Sequence, residues 1–399
     1  MKLRKYRIDW LAFLLPLICT IAIIAQEASC PEIVSLALET TSEACDATGR
    51  NQVCYGNLSI SATDFDGLTI NDFAASGDII DITDVSQLIT APLDEASGQW
   101  GVAIMTLQAN IPDSLPGQNV TFVIFGDTTL ETVDNAPDEF SAPMQAFSFS
   151  TGIGRSVCQE VPEDGILVQT PEDVRVNFLV NGVEVELGST AFLSSNEDNS
   201  QTITMLEGEA EILQGDGSQI VEAGFAVDVM DDATITEPEP FDAEAAAALP
   251  ISLLPREIAI PVLLIASEAT ANWIDSGIAV EAGQSYAITA TGWTNLWPGC
   301  NDFCPANDEF SCTDLCPAGT VPVTDIVPAA DPFMVMPGES YLVLLGRIGD
   351  GEPFVVGDEL IFTAENSGNL FFRINEDTRV PGDEPGAYAV SVLPLESEE

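Results

Sequence analysis

The sequence predicts an all-β chain built as three β-domains, with one short helix near the N-terminus. Three observations lead there. Apolar and polar residues alternate in short runs such as Gly101–Leu107 and Val120–Phe125, the two-residue period of half-buried strands. Turn-forming clusters such as Pro112-Asp113-Ser114-Leu115-Pro116-Gly117 lie between the runs, as hairpin connections require. Helical spacing is found in Pro31–Leu38, where Ile33, Val34, Leu36, Ala37 and Leu38 are apolar. A chain of 399 residues has room for two or three domains with their own cores.

Residues 1–29 read as an export signal. Met1 to Arg7 is basic, and Trp10 to Ala25 is an apolar run broken by Pro16. That run is short for a membrane span and suits a cleaved signal, with an uncleaved anchor as the alternative. An extracellular or cell-surface location follows, without stable membrane insertion unless the anchor is retained. Removing the signal takes Cys19 and leaves eight of the nine cysteines. In an oxidising compartment these read as disulfides.

The first β-domain is expected over 30–155. It contains the helix, then alternating runs at Asn57–Ala62, Gly101–Leu107 and Val120–Phe125. Asp64, Asp66 and Gly67 resemble a fragment of a calcium loop, but the later ligands are missing, so they read as a turn. Cys158 has no close cysteine neighbour in the sequence. It is expected to pair with Cys30, Cys45 or Cys54, leaving the other two to pair with each other.

A smaller β-domain is expected over 165–235, with strands at Val174–Val180, Val183–Leu187, Thr202–Leu206, Glu209–Leu213 and Phe225–Val229. Gly182, Gly188, Gly208, Gly217 and Gly224 fall at turn or bulge positions. Leu187-Gly188-Ser189-Thr190, then Leu206-Glu207-Gly208-Glu209-Ala210-Glu211, then Glu222-Ala223-Gly224, resemble the β-solenoid-like unit of FecR-type proteins. That family is best known for signal sensing in iron uptake, yet many secreted proteins carry the unit without a known sensing role. The resemblance implies a fold here and not a sensing activity. The acidic and Ala/Pro-rich stretch 236–259 reads as a linker.

Composition excludes whole classes of chemistry. The net charge is −53, from 11 basic and 64 acidic residues, and there is no histidine. Lys2 and Lys5 are the only lysines. A Ser-His-Asp or Cys-His nucleophile lacks its base, and a nucleic acid would be repelled. Carboxylate chemistry, calcium binding or no chemistry remain. Asp275-Ser276-Gly277 resembles an aspartic-protease triplet, but the second copy such an enzyme needs is missing. A carboxylate glycosidase stays open, because the spacing of its two acids is a matter of three dimensions.

The last domain, over 260–395, holds the richest stretch. Asn375 to Gly386 carries Glu376, Asp377, Asp383 and Glu384 between two strand-like runs, Asn369–Ile374 and Ala387–Val392. Such an oxygen-rich loop suits a hard cation such as Ca²⁺, or stands as a solvated acidic hairpin. Asn272–Ile278, Glu281–Gln284, Thr291-Gly292-Trp293, Leu345–Gly349, Phe354–Gly357 and Asn375–Gly386 follow in one order. In that order they resemble the calcium-dependent galactophilic bacterial lectins (PA-IL-like), whose domain is a jelly-roll β-sandwich.

Carried over residue by residue, the resemblance implies Ca²⁺ held by Glu376, the carbonyl of Val380, Asp383, Glu384 and a carbonyl near Leu296. The ion would in turn coordinate two hydroxyls of a surface glycan, with Trp293, Glu376 and Asp383 at the sugar. Two departures stand out. Glu376 and Glu384 replace a shorter Asp and an Asn, and the family's sugar-gripping histidine is absent. Trp293 and Trp297 read as sugar-stacking rings or as core and rim of the sandwich. Cys300, Cys304, Cys312 and Cys316, in a polar insert, read as two disulfides. The expected function is therefore non-catalytic, calcium-dependent carbohydrate binding. The alternative is an envelope structural or sensing protein acting through the FecR-like unit.

Overall fold

The computed structural model describes residues 29–108, 119–152, 161–172, 174–196, 198, 200–214, 217–294, 321–322, 332–340, 342–376, 378 and 386–395. The chain is all-β with a short N-terminal helix, as expected. The helix spans Cys30–Cys45, longer than Pro31–Leu38. The Glu32 carboxylate accepts hydrogen bonds from the Ser29 backbone N–H (2.8 Å) and hydroxyl (2.9 Å) at its start, and Pro31 lies in its first turn. Ile33, Ala37, Thr41 and Cys45 form its buried stripe. The polar second half escapes a hydrophobicity reading because only Thr41 and Cys45 of it face inward. Cys45 and Cys54 then bond to each other, tying the helix to the Gln52–Asn57 strand. Cys30 is disulfide-bonded as well. Cys158, Cys300, Cys304, Cys312 and Cys316 lie outside the described residues.

Fifteen strands among the described residues form one hydrogen-bonded sheet that spans both expected early domains. The Asn119–Phe125 strand pairs with Gly165–Gln169, which pairs with Val183–Ser195, and Ala146–Thr151 runs parallel to Val176–Val180. Phe122 lies edge-on to Phe147 and Phe178, with centroids 5.6 and 5.8 Å away, so one core serves both segments. Aromatic side chains buried this way each contribute about 1.5–3 kcal/mol.

Three strand expectations change. Val183–Leu187 does not stop at Gly188 but runs on to Ser195. Asn57–Ala62 is not continuous: a turn with Ser59 at φ 68° divides Gln52–Asn57 from Ile60–Thr63. Thr202–Leu206 and Glu209–Leu213 join into the single Gln201–Gln214 strand. Gly208, at φ 72°, does not end it. The ladder to Val183–Ser195 instead slips by one residue, with Thr190 opposite Glu207 and Ala191 opposite Met205. That bulge lets the chain bend without leaving the sheet. Asp64 accepts from the N–H groups of Asp66 (3.0 Å) and Leu68 (2.8 Å), a turn as expected.

The stretch 236–259 packs against the body rather than crossing solvent. Phe241, Leu249, Leu253, Leu254 and Ile258 share a core with Ile33 and Ala37 of the helix. Arg256 anchors it: the guanidinium meets Glu207 (2.6 Å) and the Ser189 hydroxyl (3.0 Å). The Gln169 amide brackets the Arg256 backbone on both sides, at 3.0 and 3.1 Å.

The last region is a two-sheet sandwich. One sheet orders Val262–Ile265, Gly386–Pro394 and Ser285–Thr294, with Glu359–Thr363 and Val321–Pro322 on the far edge of the last. The other orders Ile274–Val280, Gly368–Ile374, Leu344–Ile348 and Phe354–Val355. Leu264, Ile288, Leu344, Leu370, Phe372, Tyr388 and Val390 fill the space between. Asp275-Ser276-Gly277 sits where the Ile274–Val280 ladder breaks, and the Ser276 hydroxyl donates to the Leu370 carbonyl (2.6 Å).

The sandwich and the large sheet meet at the Glu222-Ala223-Gly224 turn. The Glu222 carboxylate accepts from the Gly292 N–H (3.0 Å), and the Thr291 hydroxyl donates to the Ala223 carbonyl (2.7 Å). A Cβ on Gly224 would lie 2.0 Å from that of Ala389.

Candidate functional site

The stretch expected to hold a cation is not the loop of a hairpin: it runs from Gly368–Ile374 in one sheet to Gly386–Pro394 in the other. Ser285–Thr294 pairs with Gly386–Pro394 along its whole length, and the last rung is Thr294 opposite Gly386. The two strands cross closely there. Gly292 (φ 102°) and Gly386 (φ 120°) both adopt the left-handed region, and a Cβ on either would lie 2.3 Å from a backbone oxygen of the opposite strand. Only glycine fits those positions. Hence the two segments expected to supply ligands, the one with Leu296 and the acidic loop, extend from neighbouring ends of a single rung.

The foot of the loop is built by Asn375 and Glu376. Asn375 is wholly buried. Its side chain accepts from the Met336 N–H (2.9 Å) and donates to the carbonyls of Met336 (3.3 Å) and Ser340 (2.9 Å). Its backbone pairs with Leu342 and Val343. The Asn375 amide is therefore a clamp on residues 336–340. The Thr378 N–H and hydroxyl donate to the Phe333 carbonyl (3.0 and 2.8 Å), which adds to the clamp. The Tyr388 hydroxyl donates to the Leu342 carbonyl from inside the core (3.1 Å). Burial pushes that phenol well above its ordinary range.

Glu376 follows directly and is only 6% exposed. A carboxylate at that depth is held only with compensating partners. Trp293, one residue before the last rung, is 40% exposed. Of the residues expected at the metal or sugar, Glu376 and Trp293 are described. Leu296, Val380, Asp383 and Glu384 lie outside the described residues. All the donors carried over are oxygens, the ligand set of a hard cation. Among the described residues no His/Cys/Asp/Glu group of three or more is arranged to hold a metal.

Gly292, Gly386 and Asn375 are the positions that a reading of acidic charge overlooks. A Gly before Trp and a Gly closing a Pro-rich loop were the signals available for the first two. The burial of Asn375 had no local signal, because its partners at Met336 and Ser340 come from a different strand connection.

No protein-family model and no curated protein matches the chain. Among solved structures, the EclA N-terminal domain, a PllA-like lectin, is similar at 18% identity, over 34% of this chain and 95% of its own, with a TM-score of 0.23. Two structures of an anti-sigma factor from Parabacteroides distasonis are similar at 10% identity over 41% of this chain, with TM-scores of 0.26 and 0.27. This chain spans 63% and 62% of their lengths.

Proposed function

We propose that the chain is an exported, non-catalytic binding protein whose C-terminal sandwich holds Ca²⁺ and, through it, a surface glycan. The observation that supports the reading is the Thr294–Gly386 rung, where the strand that leads to Leu296 pairs with the strand that follows the acidic loop. Glu376, Asp383 and Glu384 would hold the ion with the carbonyls of Val380 and Leu296. Bound there, Ca²⁺ supplies coordination positions that a vicinal diol can occupy. The Trp293 ring, exposed beside the same rung, offers an apolar face to a sugar. The Cys45–Cys54 bond suits the oxidising compartment that an exported chain enters. No helix among the described residues is long and apolar enough to cross a membrane.

Titration calorimetry of the full chain with CaCl₂ tests the metal. Saturable binding is expected, weakened about tenfold or more in E376Q and D383N; silence at millimolar calcium removes the site. A glycan array run with and without chelator tests the sugar. Chelator-sensitive spots support the reading. A blank array with calcium binding intact favours an envelope structural role through the FecR-like unit. Turnover of aryl glycosides, abolished by a single Asp or Glu substitution, would replace binding with catalysis.

A further inference from the structure

The outer face of the four-stranded sheet carries two arginines side by side. Arg347 pairs with Phe371 across the ladder, and Arg373 lies two residues further along the Phe371 strand, on the same face. In that diagonal relation their backbones are about 7–8 Å apart. Both side chains are half-buried, and Leu345, opposite Arg373 on the ladder, is fully buried.

Neither guanidinium forms an ion pair with a carboxylate among the described residues. The ion pairs there belong to Arg175 and Arg256. Arg347 stacks on two rings, with its guanidinium carbon 4.6 Å from the Trp273 centroid and 5.2 Å from that of Phe371. Arg373 donates to the Thr270 carbonyl (2.8 Å). The Nε atoms of both are buried and have no hydrogen-bond partner among the described residues. Asp275, the nearest acid on the rung, lies on the other side of Phe371. It accepts from the Gly277 N–H (3.0 Å) and the Asn369 amide (3.2 Å). Burial, and then the charge of Arg347, hold the Arg373 guanidinium below its ordinary range.

Two adjacent cations without a counter-charge among the described residues are unexpected in a chain with 64 acidic residues. Like charges so placed repel, and an unpartnered buried donor on a charged group is unfavourable. One oxyanion between them offsets the repulsion, since guanidinium forks match carboxylate and sulfate oxygens. The flanking Trp273 and Phe371 rings favour an oxyanion carried on a sugar ring over a bare ion, because sugar C–H faces pack on aromatics. We propose that Arg347 and Arg373, walled by Trp273 and Phe371, form a binding site for a carboxylate- or sulfate-bearing saccharide. It lies on the other sheet from Trp293 and needs no metal.

The test is titration of the full chain with sulfate, trigalacturonate and neutral galactotriose, each with and without EDTA. Trigalacturonate is expected to bind at least about tenfold tighter than the other two, and equally well in EDTA. R347Q and R373Q should each weaken it about tenfold or more, a loss typical of one charge-assisted contact. No anion binding at millimolar ligand, or binding unchanged in both variants, overturns the site. Sulfate binding as tightly as trigalacturonate overturns its saccharide part. Loss of binding in EDTA assigns the ligand to the acidic loop instead, and overturns it too. If the variants misfold, wild-type fluorescence compared with W273F decides: an anion response that does not depend on Trp273 counts against the site.

Discussion

Arg256 and Arg347 are both half-buried cations in a strongly acidic chain, and they are used in opposite ways. Arg256 spends its donors inside the protein, on Glu207 and Ser189, while Gln169 grips its backbone from both sides. It staples the 236–259 stretch to the large sheet. Among the described residues Arg347 meets the faces of Trp273 and Phe371 and forms no ion pair. The contrast teaches that a cation in this chain is structural where its donors are consumed internally. Where they are not, its position calls for a ligand.

The largest effect is expected where the sandwich and the large sheet meet. Gly224 has φ 94°, and an added Cβ would lie 2.0 Å from the Ala389 Cβ. G224V therefore combines backbone strain with a clash between packed elements, and should destabilise by about 3–5 kcal/mol. Calorimetric unfolding should also split, with the sandwich melting apart from the large sheet. Gly277 is the control. It has φ 73° but open space around its Cβ position, so G277A should lose only about 1 kcal/mol. Equal losses in the two variants would mean that the junction is not close-packed.

The staple comes next. Removing Arg256 leaves the Glu207 carboxylate, among the described residues, with the Ser189 and Thr190 hydroxyls. The pair is partly exposed, so R256M should destabilise by about 2 kcal/mol, less than breaking a fully buried pair. R347M keeps the aliphatic stem over the rings and loses a stacking contact worth about 0.5–1 kcal/mol. Denaturant unfolding of the two variants decides the matter. If R347M loses as much as R256M, then Arg347 is a structural residue like its counterpart and the distinction fails.

Much of this fold was legible in advance, and the gaps have local causes. The Gly101–Leu107 and Val120–Phe125 alternations gave strands close to their true ends. Gly208 read as punctuation, because nothing local distinguishes a glycine that ends a strand from one that carries a bulge. The 236–259 stretch read as a linker because its Ala, Pro and acidic residues outnumber the few large apolar ones that pack. At the candidate site, charge pointed to Glu376, while the clamp made by Asn375 depends on partners the sequence places elsewhere. The pairing of Arg347 with Arg373 comes from strand register alone, which no spacing in the sequence reveals.

Asp164 is the acidic mirror of the arginine pair, a carboxylate whose charged neighbours have its own sign. Burial pushes it up to about 6, the Asp127 N–H it accepts from holds it back in part, and the charges of Asp127 and Glu163 add to the rise. Its ordinary value is 3.8. Below that value both the folded and unfolded chains are protonated there, and no penalty arises. As pH climbs from 3.8 towards about 6 the unfolded chain ionises first, so the folded state loses stability across that window and keeps the loss above it. D164N retains an acceptor for the Asp127 N–H and carries no charge. It should flatten that part of the stability profile and raise stability at pH 7 by about 1 kcal/mol, after discounting for partial exposure. Denaturant melts at pH 4 and pH 7 measure both quantities. An unchanged slope would show that burial and the like-charged neighbours together do not raise this carboxyl in the folded chain.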